Sequence, residues 1–213
     1  MTKKRAQWST ARSHLAKSDP IMRKIADAIG PCTLMPNRDH FTVLCKSIYS
    51  QQISSVVAAV LFGRFREKFP RKRPTPGHAL ELLNHSDPNR LQGCGLSRQK
   101  RQYLIDLSQH FLSGKIPSRR LSRMSDEEVI ESLTAVKGIG RWTAEMFLIF
   151  VLNRPDVLPV DDLGLQKAVK SAYGLAQLPK KAELTKLAEV WRPYRSIATW
   201  YLWRAADASD GGW

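Results

Sequence analysis

Two short stretches hold the residues whose types and spacing could do chemistry. In "VKGIGRW", residues 136–142, Gly138 and Gly140 bracket Ile139, and Lys137 and Arg141 stand on either side. If this is a bend between two helices, its backbone N–H groups lie open at a helix N-terminus, a place that attracts phosphate. Glycines carry no Cβ to hold an oxyanion away, Ile139 can turn inward to pin the bend, and the flanking cations add charge. A plain helix C-terminal turn has the same spacing, so the bend alone leaves both readings open. The second stretch is "LPVDDLGLQKAV", where Asp161 and Asp162 precede an apolar helical run. One aspartate is expected to cap that helix and the other to be free to act, at a terminus whose dipole favours negative charge. Two ordinary capping residues would look alike at this level.

The elements that must position these residues read as helices. "SDPIMRKIADAIG" starts at a capping candidate, Ser18, has Pro20 in its first turn and stops at Gly30. "RDHFTVLCKSIYSQQ" and "SSVVAAVLFGRFREKF" give two more, joined near 50–54. After the basic loop "PRKRPTPG" come "HALELLN", "DPNRLQG" and "LSRQKRQYLIDLSQHFLSG", the last capped by Ser97 and ended by Gly114. "SDEEVIESL" opens with a capping box, Ser125 with Glu128. Beyond the bend follow "RWTAEMFLIFVLN", "DDLGLQKAVKSAYG", "KAELTKLAEVWRPY" and "SIATWYLWRAAD". No alternating β-branched run is long enough for a sheet, so the fold class expected is all-α. Neither a solenoid repeat nor a low-complexity linker divides the chain.

The 213 residues carry a formal net charge of +15, which favours a polyanionic partner, nucleic acid ahead of a membrane surface. A well-solvated basic protein is the plainer alternative. No apolar run is long enough to span a bilayer and the start lacks a secretory core, so an intracellular protein is expected. Cys32, Cys45 and Cys94 are scattered without a C-x-x-C spacing, and the five histidines form no close pair. Neither a disulfide framework nor a metal cluster is expected.

Taken together, "LTAVKGIGRWTAEMFLIF" and "LPVDDLGLQKAV", with "SIYSQQIS", "GLSRQKRQYL" and "WRPYRSIATWYLW", resemble the helix-hairpin-helix DNA glycosylases with a Gly/Pro-rich loop and an aspartate, most closely the 3-methyladenine DNA glycosylase II branch. The similarity runs from about Asp39 to Trp203. It implies the helix-hairpin-helix glycosylase fold, two helical lobes with the active-site cleft between them, approximately 38–154 and 1–37 plus 155–213. It also implies base flipping in double-stranded DNA, hydrolysis of the N-glycosidic bond of alkylated purines, and a monomer.

By the same resemblance Asp162 is the catalytic carboxylate, because Leu165 then keeps its place on the following helix, and Asp161 is a helper or cap. Trp142 stands where relatives with lyase activity carry a nucleophilic lysine, so no Schiff base is expected. Its ring, with that of Trp203, would stack on the flipped base; core packing is the alternative for both. Gln52, with Gln51 beside it, takes the place of the wedge that fills the hole in the duplex, and a solvent-facing glutamine at a helix end is the alternative. Phosphate contacts fall to Lys137, Gly138, Ile139, Gly140 and Arg141, with Ser97, Arg98 and Lys100 as a second group. No cofactor and no iron–sulfur cluster are implied. A sodium or potassium ion held by the main-chain carbonyls of Thr134, Val136 and Ile139 rests on the resemblance alone.

Overall fold

Local capping chemistry sets the boundaries of the helices in the computed structural model, which describes residues 3–209. In chain order these are α1 (Lys3–Ser18), α2 (Pro20–Ile29), α3 (His40–Ser50), α4 (Ser55–Glu67), α5 (Pro76–Asn84), α6 (Arg98–Leu112), α7 (Asp126–Thr134), α8 (Arg141–Phe150), α9 (Leu163–Tyr173), α10 (Lys181–Leu187) and α11 (Arg195–Ser209). The described residues contain no strand, as the all-α expectation requires. Ser54, Thr75, Ser97 and Ser125 each accept a first-turn amide, and Glu128 completes the capping box by accepting the Ser125 N–H. Gly174 ends α9 in the left-handed region. No helix among the described residues is long and apolar enough to cross a membrane.

Contacts divide the chain into two units, one of residues 37–147 and the other of the residues up to 36 and from 148 onward; the division falls inside α8. The first unit packs α3 against α4 and α6, and α5 against α6, with Leu44, Ile48, Phe65, Leu83, Leu104 and Leu107 buried, as is Leu133 of α7. Each such side chain is worth about 1.5–3 kcal/mol when removed from water. In the other unit α1, α2, α9 and α11 enclose Leu15, Met22, Leu165, Val169, Trp191, Ile197, Tyr201 and Leu202. Cys32, Cys45 and Cys94 are buried free thiols, and burial pushes Cys32 up to about 11.

Two expectations change here. Ser18 closes α1, and the cap of α2 is Asp19, whose carboxylate accepts the amides of Ile21 at 2.8 Å and Met22 at 3.2 Å. Asp19 is only 5% exposed, and it also accepts the Tyr173 hydroxyl and, at 3.1 Å, the Trp191 indole N–H. Four donors meet the hydrogen-bonding need of a buried carboxylate that a serine could not have served. The other change is α1, a helix that the periodicity did not predict. Its polar sequence hides a narrow seam, Trp8, Ala11 and Leu15, buried on one face, and the Trp8 indole donates to the Leu34 carbonyl at 2.8 Å.

Candidate active site and nucleic-acid interface

The bend after α7 is a hairpin between that helix and α8, and its stripped composition has a steric cause. Gly138 has φ +84°, and a Cβ there would lie 2.2 Å from the Tyr103 ring of α6. An L-residue fails on both counts. Ile139 is buried at 4% exposure and pins the bend. At Gly140 a Cβ would meet nothing within 4 Å, so the approach to the first turn of α8 is open.

Several residues expected at phosphate are held by the protein itself. The Lys137 amide donates to the Asp106 carboxylate at 2.8 Å, and the Ile139 amide donates to the Val136 carbonyl at 3.1 Å. Arg141 grips both oxygens of Glu127, at 2.6 and 3.1 Å, and reaches Glu145 at 3.2 Å. These pairings hold Glu127 below, and the Arg141 guanidinium above, their ordinary pKa ranges. Lys100 donates to the carbonyls of Tyr49 at 2.7 Å and Gln51 at 2.8 Å, and burial lowers its ammonium from the usual lysine value. Ser97 caps α6 through the Lys100 amide at 3.1 Å, while Arg98 and Lys137 are exposed. Gln51 turns its amide to the Gly138 carbonyl at 2.7 Å. Gln52 is exposed at the turn between α3 and α4, with its backbone at φ +60°. Trp142, second residue of α8, is 49% exposed. None of Tyr103, Asp106 and Glu127 was singled out from the sequence. Only the spacing of Tyr103 and Asp106 with Lys100, on one face of α6, could have marked the first two.

In the other unit the aspartates resolve differently from the expectation. Asp162 is itself the cap: its Oδ1 accepts the Leu165 amide at 2.5 Å and the Trp203 indole N–H at 2.9 Å. Asp161 caps nothing and pairs with Lys181 at 2.5 Å on an exposed surface. Leu165, buried, fixes the start of α9, and Gln166 donates back to the Val160 carbonyl at 2.8 Å, closing the approach loop. Trp203 also stacks on Phe150, with ring centroids 5.5 Å apart and planes 17° from parallel. Phe150 is 40% exposed for a large apolar ring, and it was missed in the sequence because it reads there as one more core position of an apolar helix. A Cβ at Gly164 would stand 3.1 Å from the Asp162 Oδ1 and 3.5 Å from the Trp203 indole nitrogen, so glycine keeps the space beside that pair. Trp191 and Trp200 are core residues.

An all-helical chain with a glycine hairpin and a capping carboxylate bonded to an indole defines the helix-hairpin-helix class of DNA repair proteins. The chain matches the HhH-GPD superfamily of base excision DNA repair proteins over residues 45–193, and it belongs to that superfamily. It is 35% identical to DNA-3-methyladenine glycosylase 1 of Schizosaccharomyces pombe, across 94% of this chain and 88% of that one. It is 34% identical to the alkylbase DNA glycosidase-like protein mag2 of the same organism, across 94% and 95%. The solved structure of the S. pombe 3-methyladenine DNA glycosylase in complex with abasic DNA superposes with a TM-score of 0.80 at 35% identity, covering 94% of this chain and 98% of that one.

Proposed function

We propose that the protein is a monofunctional DNA glycosylase that turns alkylated purines of the 3-methyladenine type out of duplex DNA and hydrolyses the N-glycosidic bond, leaving an abasic site. The observation that carries this reading is Asp162, held by the Leu165 amide and the Trp203 indole through one oxygen. A purine alkylated at N3 or N7 is already cationic and leaves without prior protonation, so the enzyme has to stabilise a sugar that becomes oxocarbenium-like and to orient water. As the C1′–N bond breaks, its electron pair goes to the base. Water adds to C1′, and its proton passes to the carboxylate and on to solvent.

We assign stacking on the base to Trp203, backed by Phe150, and count the exposed ring of Trp142 as a separate candidate for the same role; stacking on a cationic purine is worth about 1–2 kcal/mol when desolvated. Gln52 is the wedge that replaces the extruded nucleotide. The damaged strand is held by the first turn of α8 with Lys137, and by Ser97 and Arg98 at the start of α6. A monovalent cation would be held by the carbonyls of Thr134, Val136 and Ile139. The Lys137 amide, turned to Asp106, leaves the end of the α7 ladder at this bend, and the Val136 carbonyl keeps a second lone pair beside its bond from Ile139. Such an ion would supply positive charge next to phosphate and nothing more. The enzyme acts as a monomer on cellular DNA.

Chromatography of bases released from methylated duplex DNA tests the reading. The wild-type protein releases methylated purines and leaves strands intact until alkali is added. Asp162→Asn lowers the rate at least about 100-fold while still binding an abasic duplex. Undiminished release by Asp162→Asn, or strand scission without alkali, overturns the assignment.

A further inference from the structure

Lys100 has the composition of a phosphate ligand and the surroundings of a structural part. Its ammonium spans the Tyr49 and Gln51 carbonyls, at 2.7 and 2.8 Å, which are the last groups of α3 and the peptide immediately before Gln52. A cation there also meets the negative end of the α3 dipole. Gln51 bonds the Gly138 carbonyl at 2.7 Å. Further along the same face of α6, Tyr103 closes over Gly138, and Asp106 takes the Lys137 amide at 2.8 Å. The turn that carries Gln52 and the hairpin are thus tied to each other and to one helix face.

Gln52 is what these ties constrain. A non-glycine residue at φ +60° is held in a region that costs an L-residue free energy, and such a conformation persists only where its neighbours over-determine it. We propose that Lys100 and Gln51 are positioning residues for the Gln52 wedge: they lock the α3–α4 turn to the hairpin, so that the wedge and the strand grip move as one body. The proposal rests on the glycosylase reading, and it assigns Lys100 to the protein backbone instead of to DNA.

The two roles of Lys100 predict different salt behaviour. A lysine on phosphate contributes about 0.9 to the slope of log affinity against log salt, whereas one that bonds carbonyls contributes none. The probe is a duplex with a tetrahydrofuran abasic analogue and 2-aminopurine as the orphaned base opposite it. On binding of wild type, insertion of Gln52 changes the 2-aminopurine fluorescence. In Lys100→Met and in Gln51→Met, at saturating protein, that change falls at least about threefold, and the salt slope stays equal to wild type. A Lys100→Met slope shallower by about one charge, with the fluorescence change retained, overturns the proposal in favour of a phosphate contact. An unaltered signal in Gln51→Met overturns it as well. That variant exchanges an uncharged, half-buried side chain, so it carries the test should Lys100→Met fail to fold. Failure of wild type itself to bind the abasic duplex above undamaged DNA would instead sink the glycosylase reading.

Discussion

Trp203 serves Asp162 in two separable ways, as a hydrogen-bond donor and as a ring stacked on Phe150. A hydrogen bond to a charged group is worth about 1.5–3 kcal/mol, and here it fixes which way the carboxylate points. Trp203→Phe keeps an aromatic ring over Phe150 and loses the N–H. The single-turnover excision rate should fall about tenfold or more, with affinity for an abasic duplex little changed. Rapid-quench kinetics on an alkylated duplex measures this, and an unchanged rate would assign Trp203 to packing alone. Residue types drew attention to the Asp161–Asp162 pair and to Trp142 after the glycine bend, whereas the choice of Asp162 and of Trp203 came from the family resemblance. The bonds that divide Asp161 from Asp162 were not legible, since either residue can cap by type and only Lys181 and Trp203, brought in from other helices, tell them apart.

For the elements, the hairpin depends on α6. Gly138→Ala adds a methyl group into the Tyr103 ring and forces an L-residue to φ +84°. At Gly174, also at positive φ (+64°), an added Cβ meets nothing within 4 Å, so Gly174→Ala isolates the backbone cost of about 1–2 kcal/mol. Gly138→Ala should therefore lower the melting temperature by more than Gly174→Ala, which itself loses about 2–8 °C, and it alone should weaken abasic-duplex binding. Thermal melts with a binding titration check both; equal losses would show that Tyr103 gives way. Caps at Ser97 and Ser125 made the starts of α6 and α7 readable in the sequence, because a capping side chain bonds within three residues of itself. α1 was not readable, since its narrow seam gains meaning only when α2, α11 and the 188–191 turn close over it. Asp106 and Tyr103 were hidden for a similar reason, as their partners lie some thirty residues ahead in the hairpin.

The whole molecule is defined electrostatically by its +15 charge. Several cations are paired internally, Arg141 with Glu127 and Glu145, Lys181 with Asp161, Arg192 and Arg195 with Asp156. The net charge already counts those carboxylates, and the cations left over are spread along the whole chain, so the number of phosphates neutralised on one duplex is expected to fall well below it. The slope of log affinity against log salt on an undamaged duplex should correspond to about four to eight phosphates. A titration between low and moderate salt measures it, and a slope near fifteen would mean that nearly every uncompensated cation meets phosphate.

The bond from the Leu165 amide makes Asp162 an anchor as well as the proposed reagent, since the first turn of α9 starts from the very oxygen that also receives the indole. Asparagine keeps an acceptor for that amide and starts helices as well as aspartate does, whereas alanine would let the turn fray. Silencing the chemistry and loosening the scaffold are therefore different experiments at this codon, and an alanine scan would confuse them.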